Sequence, residues 1–323
     1  MKNSKTRILS ALLALAMLLS PMLFLSCEKP QDQRTKIVVT TFVLYDWVRV
    51  ILGDDAENYK IDLLCANGAD VHSYEPTVRD TRLILESDLF ITVGGESDGW
   101  VEDILSVAQN DINLLPLCKK MQSSLCTTDH THNNHEDGDE HESHYDEHIW
   151  LSTTHSISAL SYICDALVGI SPEKETAYRE RHKAYKDELL SLFSEYRSAG
   201  ENAKFRTVVC ADRYPFHYLF SELSVSAVAA FDGCSAESEA SFEVIKKLSD
   251  AIDKENLSSI IVTESSDKKI ARSAIAQTKD KTQNILVLNS IQSINDADIS
   301  SGVSYLNIMK ENLNVIKTVL GQK

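Results

Sequence analysis

Two histidines far apart in the chain sit in surroundings that hold a side chain still. His72 lies within Gly68-Ala69-Asp70-Val71-His72-Ser73-Tyr74-Glu75-Pro76-Thr77, where Thr77 and Asp80 have the spacing of a capping box. That pins the far end of the loop to a helix start. His148 closes Asp146-Glu147-His148-Ile149-Trp150-Leu151-Ser152, the point at which apolar residues resume. Before it, Asp129 to His148 packs six histidines (His130, His132, His135, His141, His144, His148) among eight carboxylates. Such a segment has almost nothing to bury and reads as a mobile loop. Neutral imidazole nitrogens interleaved with carboxylates suit Zn²⁺, Cu²⁺ or Ni²⁺. A lone loop histidine would be a weak signal; an ordered pair beside a histidine-rich loop points to a divalent cation.

The elements that must position these residues are alternating strands and helices. β-branched and apolar runs predict strands near 37–41, 59–64 and 89–93, with a helix over 77–86. A second series is expected near 207–211, 226–231, 259–263 and 285–288. Short buried runs alternating with helices indicate parallel sheets covered on both faces, so the fold class is α/β with two parallel-sheet lobes. The longest helical pattern lies between them. Ser171 and Pro172 suit its start and Gly200 its end. About 27 residues at 1.5 Å rise give about 40 Å, enough to run along both lobes as one stiff connection. The ligand-binding edge of such sheets is the carboxyl end of the strands, and the expected second strand ends just upstream of His72.

These motifs carry a resemblance. Gly-Ala-Asp-Val-His72-Ser-Tyr-Glu-Pro, the His/Asp/Glu-rich loop and Asp-Glu-His148-Ile-Trp-Leu-Ser together resemble the metal-binding lipoproteins of ABC transporters, the high-affinity zinc and manganese solute-binding proteins. Asp212-Arg213-Tyr214-Pro215-Phe216, Phe231-Asp232-Gly233-Cys234-Ser235 with Glu237 and Glu239, Ile261-Val262-Thr263-Glu264-Ser265 and Ser304-Tyr305-Leu306-Asn307-Ile308-Met309 extend it over nearly the whole mature chain. The resemblance implies two lobes joined by one rigid helix, with the metal in the interlobe cleft. It implies His72 and His148 as ligands from the first lobe. The usual third-ligand position falls on Arg213, whose permanent positive charge cannot ligate. Asp212 is therefore the candidate, with His217 as a substitute. The late position falls on Asn289, a weak neutral donor, and Glu264 either replaces it or hydrogen-bonds a ligand histidine. Two imidazoles and a carboxylate suit tetrahedral Zn²⁺, with Mn²⁺ the alternative.

The N-terminus sets the compartment. Lys2, Lys5 and Arg7 precede an apolar run from Ile8 to Leu25 and then Ser26-Cys27, the order of a secretory signal with a lipobox-like cysteine. The expected organisation is a signal peptide over 1–27, an N-terminal lobe over 36–170, a linking helix over 171–200 and a C-terminal lobe over 204–323. A lipid on Cys27 would tether an extracytoplasmic or periplasmic monomer to the membrane. Six further cysteines permit disulfides, with Cys118–Cys126 and Cys210–Cys234 as plausible bridges and buried free thiols the alternative.

With 32 basic against 48 acidic residues the formal net charge is −16, the opposite of a nucleic-acid binder. No P-loop is present, so the resemblance implies an ABC permease and a separate ATPase as partners. The H-E-x-x-H helix of a zinc hydrolase is absent too, and no enzyme is expected. The expected function is capture of Zn²⁺ and its delivery to the permease, with a manganese- or iron-binding member of the same family, a surface adhesin, a zinc reservoir built on the acidic loop or an envelope zinc hydrolase as alternatives.

Overall fold

Among the described residues, eight short strands form two four-stranded sheets, all pairs parallel. The computed structural model describes residues 32–66, 68–126, 145–231 and 240–322. The first sheet, in the order β2-β1-β3-β4, holds β1 (Thr35–Val39), β2 (Tyr59–Leu63), β3 (Leu89–Thr92) and β4 (Leu114–Pro116). The second repeats the order as β6-β5-β7-β8, with β5 (Thr207–Cys210), β6 (Ser226–Ala229), β7 (Ser259–Val262) and β8 (Asn284–Val287). The three-residue β4 was not read from the sequence, since it is too short to show a period and ends on Pro116.

The helices of the first half are α1 (Phe42–Leu52), α2 (Val78–Leu85), α3 (Trp100–Ser106), α4 (Leu117–Met121) and α5 (Thr153–Ile170). Those that follow are α6 (Glu175–Glu201), α7 (His217–Glu222), α8 (Phe242–Glu255), α9 (Lys269–Gln277), α10 (Asp296–Ser300) and α11 (Tyr305–Val319).

Alternation along the strands sorts side chains into separate cores. Val38 and Phe90 point to a cluster with Ile84 of α2 and Val101 and Ile104 of α3. Val209, Ala211, Ile260 and Val262 do the same on the far side of the second sheet, against α8 and α9. The opposite faces, with Ile37, Val39, Leu89 and Ile91 from one sheet and Val208, Cys210 and Ile261 from the other, enter a single cluster. Burial on both faces is why the central strands β3 and β7 read as nearly continuous apolar runs.

The helix α6 runs through that shared core, burying Tyr178, Tyr185, Leu189, Leu192, Phe193 and Tyr196. Its first half is tied to the first sheet by Tyr59 and Tyr178, whose hydroxyls are 2.7 Å apart. Its second half is tied to α11, where the Tyr196 hydroxyl donates to the Met309 carbonyl at 2.6 Å. The ends differ from expectation in detail. Pro172–Lys174 form a 3₁₀ turn ahead of the α-helix, and the Ser171 hydroxyl bonds Tyr59 rather than the helix backbone. Gly200 does not end α6 but lies inside it, where an added Cβ would stand 2.9 Å from the Leu223 carbonyl oxygen.

Of the two alternatives for Cys118 and Cys126, a bridge or free thiols, the structure has the free thiols. Cys65, Cys118, Cys126, Cys164 and Cys210 are free, with Cys118 buried in α4 and Cys126 exposed. Cys234, the signal segment with Cys27, and His130, His132, His135, His141 and His144 lie outside the described residues, as do Glu237 and Glu239.

Candidate metal centre

His72 is carried by a single 3₁₀ turn, Val71–Ser73, beyond the carboxyl end of β2. Asp70 caps this turn, its Oδ1 accepting the His72 backbone N–H at 3.0 Å. Downstream, the Thr77–Asp80 capping box forms as the spacing predicts and fixes the start of α2. His148 immediately precedes another 3₁₀ turn, Ile149–Leu151, all three of whose residues are buried. Asp146 repeats the role of Asp70, its Oδ1 accepting the His148 N–H at 3.0 Å. Each histidine is thus fixed by an aspartate two residues before it.

The two rings meet, with Nε2 of His72 and Nε2 of His148 3.3 Å apart. On their other sides stand carboxylates. His148 Nδ1 lies 2.6 Å from Asp146 Oδ1. His72 Nδ1 lies 2.6 Å from Ser97 Oγ and 3.0 Å from Glu147 Oε1, and Ser97 in turn donates to Glu147 through both its hydroxyl and its N–H. A carboxylate behind each imidazole suits a proton on Nδ1, so that a ring which is neutral presents its Nε2 lone pair to the shared point.

Asp146 and Glu147 are themselves buried. Burial is the largest influence on each and acts upward. It is outweighed at Asp146 by the charge of His148 and the hydrogen bonds to it, and at Glu147 chiefly by the bond to His72 and the two histidine charges. Both carboxyls end below their ordinary values, so both are ionised at neutral pH. A divalent ion at the two Nε2 atoms would be balanced by these two negative charges.

The second sheet contributes a residue not read from the sequence. Gln292 Nε2 lies 2.7 Å from His72 Nε2 and 2.8 Å from His148 Nε2. Its loop follows β8 and is held by Glu264, which accepts from the Ser290 N–H and hydroxyl at 2.7 and 2.8 Å and from the Gln292 N–H at 3.3 Å. Asn289, next to this loop's start, is engaged by Asn312 and by the Ile291 N–H. Ile291, a buried β-branched residue at φ +62°, sits in the left-handed region immediately before Gln292. Strain of that kind persists where surrounding contacts over-determine a functional loop.

The structure does not bring Asp212 to the histidine pair. Its Oδ2 accepts from the Thr263 hydroxyl at 2.7 Å and N–H at 3.3 Å, and its Oδ1 from the Arg213 N–H at 2.9 Å. Among the described residues no three of His, Cys, Asp and Glu gather as a metal-holding group. His217, the substitute, is an exposed residue at the start of α7. Arg213 pairs with Asp70 at 2.6 Å. The amide of Gln292 escaped notice because nothing in its local sequence separates it from a surface glutamine; only the loop that Glu264 builds aims it at the histidines.

A family model described as the periplasmic component A of the zinc-uptake complex, ZnuA, matches residues 37–319. The zinc-binding lipoprotein AdcA of Streptococcus pneumoniae R6 is 27% identical over 308 residues, covering 92% of this chain and 58% of AdcA. This chain therefore spans little more than half the length of that relative. The high-affinity zinc uptake system protein ZnuA of Bacillus subtilis 168 is 26% identical over 291 residues, covering 90% of this chain and 89% of its own. Among solved structures, the Zn(II)-bound ZnuA-like domain of S. pneumoniae AdcA aligns with a TM-score of 0.71 at 22% identity, covering 90% of this chain and all of that one. The periplasmic zinc-binding protein TroA of Treponema pallidum aligns at 0.72 with 19% identity, covering 90% of this chain and all of its own.

Proposed function

The chain belongs to the family of periplasmic zinc-uptake component A proteins, and we propose that it captures Zn²⁺ between His72 and His148 and delivers it to an ABC permease driven by a separate ATPase. One observation supports this above the rest: the Nε2 atoms stand 3.3 Å apart with a carboxylate behind each ring. Two nitrogens, each about 2.0–2.1 Å from one tetrahedral zinc, are separated by about 3.3–3.4 Å.

In this reading Gln292 takes the place foreseen for Asp212. Its carboxamide, turned by half a rotation, offers a neutral oxygen to the same ion, and solvent completes the shell. Two imidazoles and one neutral oxygen favour Zn²⁺ over Mn²⁺, which binds weakly in the Irving–Williams order and prefers more oxygen donors. The family description and the lipoprotein name of AdcA support export and a lipid on Cys27. No described helix is long and apolar enough to cross a membrane. The division into lobes at 36–170 and 204–323 with 171–200 between them belongs to the same proposal, the two sheets falling on either side of α6.

Calorimetric titration of protein lacking residues 1–27, with Zn²⁺ and Mn²⁺ compared, tests the reading. His72→Ala and His148→Ala should each weaken the tight zinc site by about 100-fold or more, since each removes a direct donor. Parent affinity in either variant would sink the assignment.

A further inference from the structure

We propose that Arg213 is a positioning residue for the cation site: its ion pair with Asp70 fastens the turn carrying His72 to the second sheet and so sets how long the ion stays bound. The inference rests on the reading that His72 is a ligand. It starts from the residue at which the sequence most plainly departs from the pattern it resembles.

A continuous run of contacts leads from the second sheet to the imidazole. β5 and β7 are neighbours, paired at Cys210 and Ile261. Just past their carboxyl ends, Asp212 Oδ2 holds the Thr263 hydroxyl and N–H, which ties the loop after β5 to the end of β7. Asp212 Oδ1 holds the Arg213 N–H at 2.9 Å and so fixes the backbone from which the guanidinium projects. Arg213 Nη2 reaches Asp70 Oδ2 at 2.6 Å. The other oxygen of Asp70 accepts the His72 N–H at 3.0 Å. Asp70 is thereby shared between the turn that presents the imidazole and a cation anchored on the opposite sheet. A second tie borders the same turn, where the Gly68 N–H donates to the Ile294 carbonyl at 3.2 Å, two residues beyond Gln292.

The pair is placed to matter more than an ordinary surface bridge. Its side chains are 27% and 25% exposed, so solvent screens it less than a fully exposed bridge. Arginine keeps its charge at every physiological pH and does not compete for the metal. An aspartate that both caps the His72 turn and grips the far sheet resists movement of the imidazole away from the loop that carries Gln292. Its effect belongs in the dissociation rate, because encounter does not require the pair to be made.

Chelator-triggered zinc release, followed by stopped flow on the zinc-loaded protein, reads this directly. Arg213→Met should release zinc about three- to tenfold faster than the parent, with association and thermal midpoint little changed. Asp70→Asn keeps an oxygen for the His72 N–H but loses the charge, and should match it. The double variant should be no faster than Arg213→Met alone. Added salt should speed release from the parent and leave Arg213→Met unmoved, a response that a merely structural role would not give. Release at the parent rate from both single variants, or additive effects in the double, would overturn the proposal. His72→Ala separates the two readings. If it keeps parent zinc affinity, the ligand assignment fails; if it loses the site while Arg213→Met releases at the parent rate, only the positioning role fails.

Discussion

A buried carboxylate is expensive unless something positive answers it. Here adjacent ones, Asp146 and Glu147, stand behind two imidazoles whose Nε2 atoms converge on one point with Gln292. The carboxylates lie behind the rings and only nitrogen and amide atoms face the point, a set that would suit a borderline cation better than a hard one. Gln292→Glu would move a negative charge to the inner layer. Zinc should then bind about tenfold or more tightly, and manganese should gain by a larger factor, in competition titrations of parent and variant. An unchanged ratio between the metals would mean that Gln292 does not face the ion. The sequence disclosed the histidines because each sits in a short polar motif next to an apolar restart. It did not point to Gln292, because nothing near this amide separates it from a surface glutamine until the Glu264 loop is seen.

The turns that carry the site obey local rules that can be changed one at a time. Gly95 follows β3 at φ +125°, and a Cβ there would stand 2.6 Å from Glu147 Oε2 and 2.7 Å from Glu147 Cβ. Gly95→Ala therefore both strains the backbone and displaces the carboxylate that supports His72. It should lower stability by about 1–3 kcal/mol and weaken zinc binding by about 10–100-fold, read by thermal melting and calorimetry. Gly302→Ala is the control: φ is +85° but nothing lies within 4 Å, so it should share the loss of stability and keep the affinity. Most elements were legible because their signals are local. Seven strands fall within two residues of their expected bounds, and the Thr77–Asp80 cap forms as read. The exceptions are decided by tertiary contact. β4 exists as a strand only by pairing with β3, and Gly200 is needed for close approach to Leu223 rather than to stop a helix.

Each sheet has a core of its own on its outer face but not on its inner one. Their facing sides share one cluster threaded by α6, so relative motion of the two sides has to be small or to disturb that cluster. Asp46 of α1 reports on this joint. It accepts the Tyr305 N–H at the start of α11 at 2.9 Å, joining an element beside the first sheet to one beside the second. Burial, the largest influence, raises its pKa to about 6, against smaller downward pulls from the Tyr305 N–H and Arg49. The positive end of α11 also favours the charged form, by about 0.3–1 kcal/mol, and burial outweighs it. Unfolded, the group titrates near about 3.9. Below that both states are protonated; between the two values the folded protein keeps a proton that the unfolded chain has released. Its contribution to stability is therefore full below about pH 4 and is lost as the pH rises through about 6. The fall is on the order of 3 kcal/mol at most, because each pH unit between the two values is worth about 1.4 kcal/mol. Asp46→Asn keeps an oxygen for the Tyr305 N–H and cannot ionise. In urea unfolding without metal, so that zinc linkage does not intrude, the variant should match the parent near pH 4. It should exceed the parent by about 2 kcal/mol at pH 7.5. A difference between parent and variant that stays flat across that range would show that the joint is more open to water at Asp46 than its burial requires.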